Sequence, residues 1–435
     1  MSTDKTLNKA SHSNALLMLI TRLHFYIGLF IGPFILVAAL TGTLYILTPQ
    51  IENALYKDAL TTESTGPTQP LSLQIAAAKQ SLNSDLTLFA VRPAPELGDT
   101  TRVMFLDSTT PSGARAVFID PSTLAIKGDM AVYGTSGILP FRMTLDFLHR
   151  QLLLGEFGRN YSELAASWLW IVAFGGLFLW YKGGKKNKTA VASRTPYLKT
   201  RKNHSQLGLV LFIGLFFFSA TGLTWSKWAG GNISTVRQSL GWYTPSPNTQ
   251  LANIDVSQNT DELFDQVLAT ARDAGIDANK IEIKPPRKAN TAWFVREIDR
   301  SWPTQVDSVA IDPTDMKVVS RADFASFPIV AKLIRWGVDF HMGVLFGVVN
   351  QVLLVFFGLG LCTMVVWGYL MWWRRRPAPG ATSKPLLEAW QKLPTPTKCT
   401  ALLVAIALGI ALPAMGVSLV CFLIIDSLRW KKAAN

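Results

Sequence analysis

Five stretches of this chain run without Asp, Glu, Lys or Arg for longer than soluble core helices usually do: Phe25–Ile51 (27 residues), Leu164–Tyr181 (18), Ser205–Ser226 (22), Met342–Trp373 (32) and Cys399–Ile425 (27). About 20 residues of helix cross the ~30 Å of bilayer hydrocarbon. The runs therefore predict a helical membrane protein, not the two or three soluble domains that 435 residues would otherwise suggest. The composition agrees, at 49% hydrophobic against 16% charged. The first run is longer than a signal-peptide core and precedes no small-x-small cleavage site, so it reads as a retained span.

Charge sets the expected orientation. The N-terminus through Arg22, Lys182–Asn203, Arg374–Lys398 and the C-terminus from Asp426 together hold 20 basic and 3 acidic residues, while the rest of the chain holds 22 and 26. The net charge of +13 is thus a positive-inside pattern, with those four segments cytoplasmic, and not a nucleic-acid-binding stripe. The expected layout is a cytoplasmic tail and span over 1–51, an outer domain over 52–142, an outer amphipathic segment and span over 143–182, and a basic loop over 183–203. A third span follows over 204–226, a second outer domain over 227–327, an amphipathic segment and fourth span over 328–376, and a cytoplasmic loop over 377–398. The last run, 399–435, is one span or a hairpin hinged at Pro413. The hairpin is favoured because it keeps Lys431 and Lys432 inside.

The chain also repeats itself. His24 and Gly28 match His204 and Gly208, and Thr41-Gly42 matches Thr221-Gly222, 17 and 18 residues after each histidine. Ile119-Asp120-Pro121, His149, Gly155, Gly176 and Trp180 recur 192 residues later as Ile311-Asp312-Pro313, His341, Gly347, Gly368 and Trp372. Two copies of span, outer domain, span form a parallel repeat. Both outer domains read as α+β. Helical spacing over Leu71–Leu82 and Thr260–Ala274 precedes strand-like runs at Thr101–Phe105, Ala116–Ile119, Ala292–Arg296 and Ser308–Ile311. The Asp-Pro turns then lead into a further short strand.

Four of the five histidines are repeat-paired; His12 in the tail is read as solvated. His24 and His204 open outward-going spans, and His149 and His341 precede inward-going ones, so one histidine from each half falls near each membrane face. Facing neutral imidazoles can ligate a b-type haem iron from both sides without a covalent motif. Gly28, Gly208, Gly155 and Gly347 would let a flat macrocycle approach, and Arg22, Arg201, Lys202 and Arg150 would pair with propionates. Proton relay, metal transport and purely structural roles stay open for these histidines. Cys362, Cys399 and Cys421 form no CxxC or CxxCH motif, which argues against zinc-thiolate, iron–sulfur and c-type haem sites; Cys362 reads as a packed thiol. Trp168, Trp170, Trp180, Trp225, Trp228, Trp372 and Trp373 read chiefly as interfacial belts.

Arg22-Leu-His-Phe-Tyr-Ile-Gly-Leu-Phe, Leu40-Thr-Gly-Thr-Leu-Tyr45, Leu148-His149 and Asp339-Phe340-His341 resemble the PepSY-associated transmembrane family over nearly the whole chain. The resemblance implies PepSY-like periplasmic domains and an inner-membrane di-haem b protein. Two b-type haems would be held by His24/His204 on the cytoplasmic side and by His149/His341 on the periplasmic side. Some members are ferric-siderophore reductases, so the expected substrate is a periplasmic ferric siderophore, which loses its iron on one-electron reduction. No GxGxxG follows a strand, and Lys182–Asn203 is too short for a fused flavin domain, so the expected donor is external: quinol or a cytoplasmic flavin reductase. Arg150, Arg335, Trp336 and Trp302 are candidates for the docking surface. The competing readings are a haem-free transporter or metal permease, and a regulatory scaffold.

Overall fold

The computed structural model describes residues 2–82, 85–184, 195–251, 260–375 and 386–434, without the side chains of 2–14, 184 and 430–434. His12, most of the basic loop after Gly184, the segment 376–385 and the Lys431/Lys432 side chains therefore lie outside the described residues. In chain order the elements are α1 (Ser2–Phe30), α2 (Gly32–Ile46), α3 (Thr48–Leu55), α4 (Lys57–Leu60), α5 (Leu71–Ser81), β1 (Leu88–Arg92), β2 (Thr101–Leu106), β3 (Ala114–Ile119), β4 (Ile126–Ala131), α6 (Pro140–Gln151) and α7 (Gly155–Gly184). There follow α8 (Pro196–Thr224), α9 (Ala229–Ser239), α10 (Phe264–Asp273), β5 (Ile281–Lys284), β6 (Trp293–Glu297), β7 (Ser308–Ile311), β8 (Val318–Ala322), α11 (Ile329–His341), α12 (Gly347–Arg374), α13 (Leu386–Gln391), α14 (Thr395–Ala411) and α15 (Pro413–Ala434). The chain divides into a helical unit, Met1–Leu44 with Phe147–Leu240 and Val352–Asn435, and a sheet-bearing unit, Tyr45–Asp146 with Gly241–Gln351, called the outer unit after the side of the membrane that the charge pattern leads one to expect for it.

Among the described residues, α7, α8 and α12 are long and apolar enough to cross a membrane. The α1/α2 pair makes a fourth if its two arms count as one span. The first apolar run, expected as one span, bends by 56° between α1 and α2. Pro33 explains the bend: it brings no N–H, and its ring crowds the carbonyl four residues back, that of Leu29. The Tyr369 hydroxyl donates to that freed oxygen at 2.6 Å, so the Leu29 carbonyl is not left bare. The last run is likewise interrupted. It forms two helices, α14 and α15, packed on each other, with the break at Leu412 before Pro413 as the hairpin reading expects. A Cβ on Gly416 would stand 2.8 Å from Gly409 Cα, so the hairpin closes only over paired glycines. Asn232 Nδ2 bonds the carbonyls of Ile410 and Ala411, both at 3.1 Å, where α14 ends.

Small residues set the remaining helix contacts. A Cβ on Gly214 would lie 2.2 Å from Phe357, and one on Gly360 would lie 2.8 Å from Leu211, so α8 and α12 pack backbone-close. Glu163 sits fully buried within α7. It accepts from the backbone N–H of Trp228 (2.7 Å) and Ala229 (3.2 Å), capping α9. Asp426 does the same for α13 through Leu386 and Leu387.

The outer unit is one eight-stranded sheet, entirely antiparallel, in the order β4-β3-β2-β1-β5-β6-β7-β8. Helices α5 and α10 cover one face. Their Ile75, Ala78, Phe264 and Val267 pack on the inward-alternating Val91, Val103, Val117, Ile283, Trp293 and Ile311. Asp265 of α10 caps α5 through the N–H groups of Leu71 and Ser72. The two outer segments expected as separate domains thus share a sheet, joined where Val91 pairs with Ile283. Across that join Arg92 donates to Glu282 through Nε (2.9 Å) and Nη2 (2.6 Å). The expected strands appear as β2, β3, β6 and β7, and the short strands after the Asp-Pro turns as β4 and β8. The central pair β1 and β5 escapes the hydrophobic pattern because each carries a charged residue, Arg92 and Glu282, where a buried strand should be apolar.

Candidate cofactor site

His24 stands on α1 against α7, and His204 on α8 against α12. Their imidazole centres lie 6.4 Å apart with planes at 87°. His24 Nδ1 bonds the Val172 carbonyl at 3.0 Å, and His204 Nδ1 bonds the Met364 carbonyl at 3.0 Å. A carbonyl can only accept, so Nδ1 carries the proton in both rings and Nε2 is left with its lone pair. Val172 lies four residues before Gly176, and Met364 four before Gly368. Each ring thus reaches its carbonyl on the helix turn capped by a glycine. A Cβ at Gly176 would come within 3.2 Å of His24 Cε1.

This donor set fits a b-type haem. Two neutral imidazoles on one iron, each with a metal–nitrogen bond of about 2 Å, hold their ring centres about 6 Å apart. A carbonyl on each outer nitrogen fixes tautomer and orientation, as outer-shell partners of ligating histidines do. Gly28, one turn along α1 from His24, is exposed, and a Cβ there would meet nothing within 4 Å.

The second expected pair is divided between the two units. His149, near the end of α6, bonds Thr41 Oγ1 through Nδ1 at 3.1 Å. The Thr41 proton goes to the Val37 carbonyl at 2.7 Å, so Thr41 accepts from His149, and Nε2 again keeps a lone pair. A Cβ on Gly42 would stand 3.0 Å from His149 Cε1, so this imidazole lies flat on a glycine. Tyr161 donates its hydroxyl to the His149 carbonyl. His341 ends α11. Two residues earlier, fully buried Asp339 accepts from Arg300 Nε at 2.6 Å and Arg335 Nε at 2.9 Å. These contacts fix the helix that carries His341 to the loop after β6.

Several expected supporting roles change. Gly155 and Gly347 have φ of +58° and +56°, the conformation that the turns entering α7 and α12 require. Gly208 lies against Met364. Arg22, expected beside a propionate, is ion-paired to Glu388 at 2.9 Å. Arg201 and Lys202 are exposed on α8, and Arg150 lies over the Trp225 ring. Of the docking candidates, Trp302 and Trp336 are in ring contact at 5.7 Å with Trp302 more than half exposed, while Arg335 is engaged with Asp339. Cys362 is a half-buried free thiol, as expected. Thr41, Gly42, Val172, Met364 and Tyr161 were not assigned from sequence. The Thr-Gly pair was visible there as a repeat, but carbonyl partners leave no sequence signal.

The helical unit also holds an apolar cavity of about 800 Å³, lined by Tyr26, Phe30, Trp228, Val417 and Phe422 among others. Tyr26 and Phe30 stack at 18°, with Phe422 edge-on to both. In the outer unit, Glu282 is held below the usual carboxylate range: burial works against this, but Arg92, Arg296 and Lys284 outweigh it. Burial, followed by the charge of Arg92, pushes Arg102 down to about 10. Among the described residues, no three His, Cys, Asp or Glu side chains gather as a metal site.

No curated protein matches the sequence. A family model described as the PepSY-associated TM region matches residues 21–375. That span takes in both histidine pairs, the eight described strands and α7, α8 and α12, which among the described residues are long and apolar enough to cross a membrane, and the chain belongs to this family of membrane proteins.

Proposed function

We propose that the protein is an inner-membrane electron carrier that reduces ferric siderophore on the periplasmic side. His24/His204 and His149/His341 would each hold one b-type haem. The observation that carries this reading is the facing pair His24 and His204, each with Nδ1 spent on a carbonyl and Nε2 free. Haems bound at these positions would supply one-electron carriage through the bilayer. The chain's own part is to fix two tautomers, hold each ring at its separation, and exclude water with α7, α8 and α12. One electron delivered to the ferric chelate gives ferrous iron, which hard oxygen donors hold weakly.

The architecture is read as two parallel repeats, each with a PepSY-like half of the sheet. Its support is the mirrored strand order about β1 and β5, and the matched bonds from His24 and His204 to carbonyls four residues before glycines. The N-terminus is placed in the cytoplasm from the distribution of Lys and Arg. Of the two external donors, the apolar cavity favours quinol over a flavin reductase.

The test is the absorption spectrum of detergent-purified protein with a haem count per chain, followed by titration of the reduced protein with ferric hydroxamate. Two b-type haems that are reoxidised by the chelate support the reading. Folded, colourless protein overturns it in favour of a haem-free transporter, and haems unmoved by the chelate point to another acceptor.

A further inference from the structure

Among the described residues of the outer unit, one guanidinium edge and one phenol O–H have no acceptor. Arg142 of α6 has Nε and Nη2 buried without a hydrogen-bond partner, and the hydroxyl of Tyr45, 7% exposed, is in the same state. The two side chains are neighbours, with Arg142 Cζ 4.6 Å from the centre of the Tyr45 ring. The Arg142 guanidinium acts on this phenol as a charge and as a donor toward its oxygen, which leaves the O–H free to donate, and the charges of Asp146 and Arg300 act on it too. Buried donors left unbonded are costly.

The adjacent acid does not fill the gap. Glu52 Oε1 accepts the backbone N–H of Arg142 at 3.0 Å, not its guanidinium. Burial pushes the Glu52 carboxyl up, against the pull of Arg142 and Arg102. Asp339 is taken by Arg300 and Arg335. The unbonded Nε and Nη2 are one edge of the guanidinium, and that edge matches the two oxygens of a carboxylate.

We propose that Arg142 and Tyr45 form a binding site for a ligand's carboxylate group, with Arg142 donating through Nε–H and Nη2–H and Tyr45 through its O–H. Two sources have this chemistry. One is a propionate of a haem held by this chain; this source rests on the proposed function. The other is a free carboxylate-bearing chelate, which does not rest on it.

The full-length protein in detergent is loaded with protohaem or with protohaem dimethyl ester, whose carboxylates are blocked, and retained haem is read by absorbance. In parallel, citrate is titrated by calorimetry. If the carboxylate is a propionate, the protein holds protohaem about tenfold or more tightly than the ester, and Arg142→Gln and Tyr45→Phe each shrink that ratio. If it is a free carboxylate, the ratio stays flat and citrate binds about tenfold or more weakly to the variants. Should Arg142→Gln not fold, Tyr45→Phe carries the comparison alone. Unchanged haem ratios together with unchanged citrate binding overturn the proposal. Failure to take up any haem sinks the proposed function, and the citrate titration then decides this site by itself.

Discussion

His24 and His204 face each other at 6.4 Å between ring centres, and each is tethered by Nδ1 to a carbonyl four residues before a glycine. Two helices from distant parts of the sequence are needed to make this one arrangement. Neither imidazole is placed by its own helix: α7 orients the first and α12 the second. A structural histidine would tend to spend both nitrogens on protein partners. Here a backbone carbonyl fixes one nitrogen of each ring, and the ring centres stay 6.4 Å apart.

The two histidines should behave as a unit. His24→Ala and His204→Ala are each expected to lower the haem count from about two per chain to about one, and the double variant should match either single one, since groups acting together are non-additive. Haemochrome spectra of the three purified variants measure this. A double variant that loses both haems would break the pairing.

Gly42 offers a test that leaves every ligand in place. Its missing Cβ is where His149 lies, 3.0 Å from Cε1 and 3.3 Å from Nδ1. Gly42→Ala must push the imidazole off its bond to Thr41. Overpacking of this kind costs about 1–3 kcal/mol. The expected result is loss or spectral perturbation of one haem, with the His24/His204 haem untouched, read by low-temperature absorption. Two unaltered haems would show that His149 is not held as described.

The membrane class, the approximate spans and the four histidines were legible in the sequence because each rests on a local signal: an uncharged run, or a rare residue type at a repeated spacing. The bend at Pro33 was less visible, since a proline in an apolar run signals a break only once the freed Leu29 carbonyl is seen to have a partner in Tyr369. The continuous sheet was hidden for a different reason. Its join is made by Arg92 and Glu282, two charges that locally argue against a buried strand and stabilise one only as a pair. Arg142 was passed over because no spacing marks a guanidinium as unbonded.

Tyr369 should matter for stability and not for colour. Tyr369→Phe removes the donor to the Leu29 carbonyl and leaves an acceptor bare at the α1/α2 bend. A buried group left unsatisfied costs about 1–3 kcal/mol. Thermal unfolding in detergent should shift down by a few degrees while the haem count stays fixed. An unchanged midpoint would mean that water or lipid already serves that oxygen.

Glu282 should make the outer unit acid-sensitive. Its side chain is 1% exposed and bonds Arg92 and Arg296, with Lys284 at 3.4 Å. Its folded pKa lies below the ordinary value of 4.5. The unfolded chain therefore takes up the proton first as pH falls, so the stabilisation is complete above about 4.5 and is lost as pH drops through the folded value. Glu282→Gln removes the charge at every pH and leaves two guanidinium groups facing a neutral amide, at a cost of about 3–5 kcal/mol by analogy with broken buried pairs. The variant should melt well below the parent at pH 7, and the gap should narrow as pH falls below about 4.5 and the parent's own carboxylate protonates. A gap that stays constant over that range would show that the loss is one of packing, not of charge.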